Sequence, residues 1–216
     1  MTPREKQKLC NLLAGFFSSP EPGMVAEIGR KEGFAFLADS MKSWGGDPAL
    51  LIGLYLNGSS EGVFAELQKE YERLFSGRER ASVSLIESPY KPWTQDEECR
   101  LPFAREKGLL GGDSALHMEA ILQGAGVEVP EAFKACPDHL VLELEFLSAL
   151  YGEATDREVR QFIQDHLDWI PHLKKELIGF QPHPFYLSAV ELLDQFLKHE
   201  RNRLERMDHG EKSVHS

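Results

Sequence analysis

Pro137-Asp138-His139-Leu140-Val141-Leu142-Glu143-Leu144-Glu145-Phe146-Leu147-Ser148-Ala149-Leu150-Tyr151 is apolar on almost every side of a 3.6-residue repeat. A helix with that distribution has no face to give to water, so it is expected at the centre of the molecule, with other elements packed around it. Its neighbours also read as helices. Thr155-x-x-Glu158 forms a capping box that opens a helix reaching about Trp169, with Val159, Phe162, Ile163, His166 and Leu167 inward. Pro171 and Pro184 open two more, the last carrying Phe185, Leu187, Val190, Leu193, Phe196 and Leu197.

Toward the N-terminus, Leu9, Leu12, Leu13, Phe16 and Phe17 share one helical face, which Ser18-Ser19-Pro20 ends. A helical pair covers residues 23–44, interrupted near Gly29 or Gly33. Asp47-Pro48 caps a helix over residues 49–57, and Ser60 caps one whose stripe is Phe64, Leu67, Tyr71, Leu74 and Phe75. Thr94-x-x-Glu97 predicts a helix to about Lys107, kinked or shortened by Pro102, and Asp113 caps one through Gln123, ended by Gly124 and Gly126. No stretch shows sustained alternation and no repeat is visible, so the fold class is all-α: a single helical-bundle domain of about nine to eleven helices over residues 1–197, followed by a charged tail, residues 198–216, that is solvated or frayed.

Between Ser76 and Trp93 the helical period is lost. Gly77, Arg78, Arg80, Val83, Leu85, Ile86, Pro89, Tyr90, Pro92 and Trp93 make a long loop too apolar for a linker, and so the first candidate for a binding element.

The 216 residues carry 24 basic and 35 acidic groups, a formal charge of −11. With no dense basic stripe, that balance disfavours nucleic acid and favours cationic partners. Three widely spaced cysteines, Cys10, Cys99 and Cys136, form no zinc pattern and point to a reducing compartment. The N-terminal segment is amphipathic, so neither a signal peptide nor a membrane span is expected, and the protein is read as cytoplasmic. No histidine has Glu three residues before it, and HExxH and phosphate-loop patterns are missing; no metal, cofactor or catalytic residue is therefore expected.

The polar residues of the central helix stand out. His139 and Glu143, at i and i+4, share a face, and Asp138 lies at the helix N-terminus. They form either a cap with a satisfied His–Glu pair, or an acidic mouth that binds something cationic; spacing alone does not choose.

Three blocks together resemble the TorD/DmsD/NarJ family of redox enzyme maturation chaperones: Tyr71-Glu72-Arg73-Leu74-Phe75 with Glu87-Ser88-Pro89-Tyr90; Pro137-Asp138-His139 with Glu143-Leu144-Glu145-Phe146-Leu147; and Phe162, His166-Leu167-x-Trp169-x-Pro171 with Phe185-Tyr186. Ser76-Gly77-Arg78 departs from the Gly-Pro that many relatives carry there. The resemblance implies an all-helical, non-enzymatic cytoplasmic chaperone. It would bind the twin-arginine signal peptide, or the N-terminus, of an apo-molybdoenzyme catalytic subunit, hold back export and keep the subunit competent for molybdopterin insertion. Asp138 and Glu143 would take the guanidinium groups, with His139 orienting the Asp or touching the peptide backbone. Phe75, Tyr90 and Trp93 would line an apolar groove beside Ser88, with Pro89 stiffening the loop. Leu74, Phe146 and Leu147 read as core, and Trp169 and Phe185-Tyr186 as packing residues. Implied partners are the molybdopterin-dependent oxidoreductase subunit with its leader and molybdenum-cofactor biosynthesis proteins, with no nucleic acid and no membrane insertion, the chain being a monomer or homodimer. A NarJ-like assembly factor for a non-exported subunit and a nucleotide-responsive switch are the alternatives.

Overall fold

The computed structural model describes residues 1–28, 31–77 and 82–214. Nine α-helices follow in order among these residues: α1 Pro3–Phe17, α2 Pro22–Ile28, α3 Lys31–Ser43, α4 Ser60–Phe75, α5 Asp113–Gly124, α6 Leu140–Glu153, α7 Asp156–His166, α8 Ile170–Gly179 and α9 Pro184–Val214. Short 3₁₀ segments lie at Pro48–Leu54, Ser88–Tyr90 and Glu131–Phe133. The fold is all-α, as the periodicities require. Gly29, Arg78 and Arg80 lie outside the described residues.

The all-round apolar segment is α6, and α1 is laid along it. Leu9, Cys10, Leu13, Phe16 and Phe17 of α1 and Leu140, Leu144 and Leu147 of α6 are fully buried. Burial pushes the Cys10 thiol up, so it is an inert core group. α9 closes the bundle against α7 and α8, and its N-terminal turn holds the segment Pro48–Leu54. The approach there is close: a Cβ on Gly53 would stand 2.0 Å from the Pro184 carbonyl oxygen, so only glycine fits.

Four local expectations are corrected. Over residues 49–57 no α-helix forms: a 3₁₀ segment, Pro48–Leu54, stands there instead, although Asp47 does cap it through the Ala49 N–H. The α4 cap is Ser59, whose hydroxyl accepts from the Gly62 N–H, and not Ser60. Residues 94–112 form no helix: Thr94 Oγ1 donates to Asp113 Oδ2, and Arg105 donates to the carbonyls of Thr94 and Asp96, so the box residues serve turns instead.

The fourth concerns the charged end. α9 continues past Lys198, and Glu200 and Leu204 are buried. Glu200 receives Lys6 Nζ at 2.7 Å, the Tyr151 hydroxyl at 3.0 Å and Arg203, which also reaches Asp156 at 2.8 Å. The charges of this stretch are therefore spent joining α9 to α1, α6 and α7. Burial pushes the Glu200 carboxyl up, but the bonds and charges of Arg203 and Lys6 outweigh it and hold it below the usual range. A carboxyl lowered on folding stabilises above its unfolded value, near 4.5, and that stability is lost as pH falls through the folded value. Glu200→Gln should cost on the order of 3 kcal/mol in urea unfolding at pH 7, and the gap to the unmodified chain should narrow as pH drops below about 4.5.

Candidate functional site: a buried carboxylate cluster

The site begins with the loop between α4 and α5. Its N–H at Val83 donates to the Leu74 carbonyl at 2.8 Å, and an isolated antiparallel bridge joins Ile86 to His139, with Leu140 N–H on Leu85 O (2.8 Å) and Glu87 N–H on Asp138 O (3.0 Å). Along this extended stretch Val83, Leu85 and Glu87 are buried in alternation, while Ser84 and Ile86 are half-buried. The loop thus enters the core before the turn Ser88–Tyr90 brings it out, with Pro89 at its second position, where no N–H is needed.

Ser88 is held by Asp138: both its N–H (2.8 Å) and its hydroxyl (2.5 Å) donate to Asp138 Oδ2. Asp138 is fully buried, and burial raises its carboxyl against the lowering effect of Ser88. His139, not Asp138, caps α6, its Nδ1 accepting from the Val141 N–H at 3.2 Å, with its ring against Phe133 at 4.9 Å. Burial lowers the His139 pKa to about 4, so the ring is neutral at physiological pH.

Glu143 turns inward and makes no pair with His139. Its Oε2 accepts the Trp169 indole N–H at 3.2 Å. Glu87 stands nearby, with Oε2 2.9 Å from His166 Nδ1 and Oε1 2.5 Å from Lys91 Nζ, an ion pair whose angles fall outside hydrogen-bond geometry. Lys91 also reaches Asp168 at 2.6 Å and the Asp165 carbonyl. His166 Nε2 lies 2.9 Å from Nδ1 of the exposed His117, completing a chain of polar contacts from surface to interior. Three carboxyls in one dry interior repel one another. Burial and the charges of Glu87 and Asp138 push the Glu143 carboxyl well above its ordinary value.

The other expected residues stay apart from this centre. Half-buried Tyr90 stacks on Trp169 with ring centres 5.0 Å apart, its hydroxyl 2.5 Å from Glu176 Oε2. Trp93 sets its edge against Phe103, and its carbonyl accepts from the Asp113 N–H beside Gly112, where a Cβ would stand 2.1 Å from that carbonyl oxygen. Phe75 packs on Tyr71 and Tyr186. Structure therefore divides the expected set: Asp138, Glu143 and Ser88 are buried, while His139, Phe75, Pro89, Tyr90 and Trp93 reach the surface in part. A recess of about 550 Å³ lined by Trp44, Lys198, His199 and Arg203 contains none of them.

Sequence reasoning assigned no role to Glu87, Lys91 or His117, and read His166 as an inward helix residue. The available signal was Glu87 in step with Val83 and Leu85, since a carboxylate on an apolar side needs partners.

Glutamine reproduces the shape of Glu143 and its acceptor for Trp169 without the charge that burial and the neighbouring carboxylates disfavour. In chelator-containing buffer Glu143→Gln should shift the unfolding free energy by less than about 1 kcal/mol, whereas Glu143→Ala, which leaves a cavity and removes one of the two acceptors of the Trp169 indole N–H, should cost about 3 kcal/mol.

Among the described residues no helix is long and apolar enough to cross a membrane. The family model for the nitrate reductase delta subunit matches residues 34–175. The chain is 34% identical over 119 residues to the chaperone protein TorD of Vibrio parahaemolyticus, covering 48% of this chain and 55% of that protein. It is 28% identical over 127 residues to TorD of Vibrio cholerae serotype O1, covering 52% and 58%, and 29% identical over 111 residues to TorD of Salmonella arizonae, covering 45% and 49%. The chain thus spans about half the length of the curated relatives it matches. The matched span of the family model holds the central helix, the inserted loop and the carboxylate cluster, and the chain belongs to the nitrate reductase delta subunit family, the TorD/DmsD/NarJ group.

Proposed function

We propose that this protein is a non-enzymatic cytoplasmic chaperone that binds the leader or N-terminus of an apo-molybdoenzyme catalytic subunit, assists cofactor insertion and delays export until the subunit is mature. The observation that carries the reading is the family match over residues 34–175, which contains every residue that ties the inserted loop to α6. The chain's excess of acidic groups, −11 overall, favours a cationic peptide at long range.

The division of the site refines how such a peptide would be held. A fully buried carboxylate cannot meet a guanidinium group without opening the core, at a desolvation cost of several kcal/mol. Asp138, Ser88 and Glu143 therefore act from below as positioning residues. His139, Pro89, Tyr90, Trp93 and Phe75 present the contact face. A neutral His139 offers polar contact to a peptide backbone, and the aromatic side chains take the apolar stretch that follows the arginine pair.

A second reading is favoured by the description of the matching family itself, a nitrate reductase delta subunit: the target would then be a reductase subunit that is not exported, and its N-terminus would lack the arginine pair.

Calorimetric titration with a synthetic twin-arginine leader, beside the same peptide with both arginines changed to alanine, separates the two. The chaperone reading expects at least tenfold weaker binding without the arginines and looser binding at higher salt. His139→Ala or Trp93→Ala should weaken binding about tenfold while helicity is retained. Equal binding of both peptides moves the assignment to the non-exported target, and binding of neither contradicts both.

A further inference from the structure

We propose that Glu87, Glu143 and His166 form a binding site for a divalent transition-metal cation of the Zn²⁺ type, buried where the inserted loop meets α6 and α7. The inference is independent of leader binding. The three residues come from separate segments, which is why no metal-ligand spacing is visible in the sequence, and all three are buried. One ligand atom from each lies within 4.8 Å of the others. In the tetrahedral geometry of zinc, ligand atoms ~2.0–2.2 Å from the ion stand ~3.3–3.6 Å apart, so the set closes when the widest pair draws together by up to about 1.5 Å.

Each residue also has one polar atom engaged elsewhere and one left for the centre. Glu143 Oε2 accepts from Trp169, and its Oε1 has no hydrogen-bond partner although the side chain is fully buried. Glu87 Oε1 faces Lys91, and Oε2 faces His166 Nδ1. The far nitrogen of His166, Nε2, lies 2.9 Å from His117 Nδ1; in the metal-free chain His166 Nδ1–H donates to Glu87 Oε2, and moving the ring proton to Nε2, where His117 accepts it, frees Nδ1 to ligate the cation. A metal-bound histidine is typically fixed in this manner, through a hydrogen bond on its outer nitrogen.

Charge supports the same ligand. Glu87, Asp138 and Glu143 are buried together, Asp138 Oδ1 has no hydrogen-bond partner, and Lys91 is the ammonium paired with the cluster among the described residues. A divalent cation neutralises the excess and occupies the open lone pairs in one step. One imidazole with two carboxylates is a donor set for first-row transition ions and not for Ca²⁺, which takes six to eight oxygens.

The test uses the full chain carrying Cys99→Ser and Cys136→Ser, so that half-exposed thiols contribute nothing. After chelator treatment, dialysis against Zn²⁺ and gel filtration, elemental analysis should find about one Zn²⁺ per chain, and excess Zn²⁺ should raise the unfolding midpoint. Glu143→Gln and His166→Gln should each lower retained Zn²⁺ at least tenfold. Should a variant fail to fold by circular dichroism, Co²⁺ added to the chain with 87, 143 and 166 unmodified provides a separate reading, with ligand-field absorption expected in the visible range. The inference is overturned if that chain retains no Zn²⁺ and gives no Co²⁺ spectrum, or if folded Glu143→Gln retains as much Zn²⁺ as its parent.

Discussion

Three carboxyl groups, those of Glu87, Asp138 and Glu143, lie inside the apolar interior where the inserted loop, α6 and α7 come together. A buried carboxylate is tolerable only when it is neutralised or bonded on all sides. Asp138 meets part of that demand by clasping Ser88 through one oxygen, Glu87 by contacts with Lys91 and His166, and Glu143 by receiving Trp169 on one oxygen, its carboxyl pushed well above the ordinary value. These contacts join segments distant in the chain: residues 87–91, 138–143 and 166–169. The cost of leaving any group unpaired is what keeps the three in register. The result is a loop whose course is fixed from inside, so that the aromatic residues following it emerge in a defined direction.

That arrangement separates support from contact. The ionisable groups are withdrawn from solvent, whereas the partly exposed side chains beside them are aromatic, imidazole or proline. A face of this type binds through area and shape, with electrostatic guidance coming from the whole acidic surface. The same separation explains why the interior can serve a different ligand, a cation, without competing for the surface.

Much of the fold was legible because helices write their burial directly into the sequence. The stripe Leu9, Leu13, Phe16, Phe17 and the all-round apolar α6 needed only the 3.6-residue period, and the box Thr155 with Glu158 closed as expected, through both reciprocal hydrogen bonds. Legibility failed where local signals had tertiary competitors. Thr94 has the composition of a helix cap, but Asp113 accepts from its hydroxyl and Pro102 interrupts the run that would follow. Residues after Lys198 look solvated because they are charged, yet Glu200 is buried among Lys6, Tyr151 and Arg203, partners that no local window contains. The site was legible in membership and not in geometry: Asp138, Ser88 and His139 do meet, but their direction, inward for the Asp and partly outward for the His, depends on a bridge between Ile86 and His139, 53 residues apart by subtraction of their numbers. Glu87 was hidden by its setting in a loop whose two-residue alternation is too short to register.

The central claim is that the buried cluster presents, through this loop, a surface for a peptide. Hydrogen–deuterium exchange of the full chain, with and without a twin-arginine leader, tests it most directly. The account predicts added protection confined to the end of α4, residues 88–93 and residues 133–139, with the rest of the bundle unchanged. Protection centred instead on the Trp44–Arg203 recess or on the exposed Ile52 and Tyr55, with residues 88–93 and 133–139 unaffected, would contradict it.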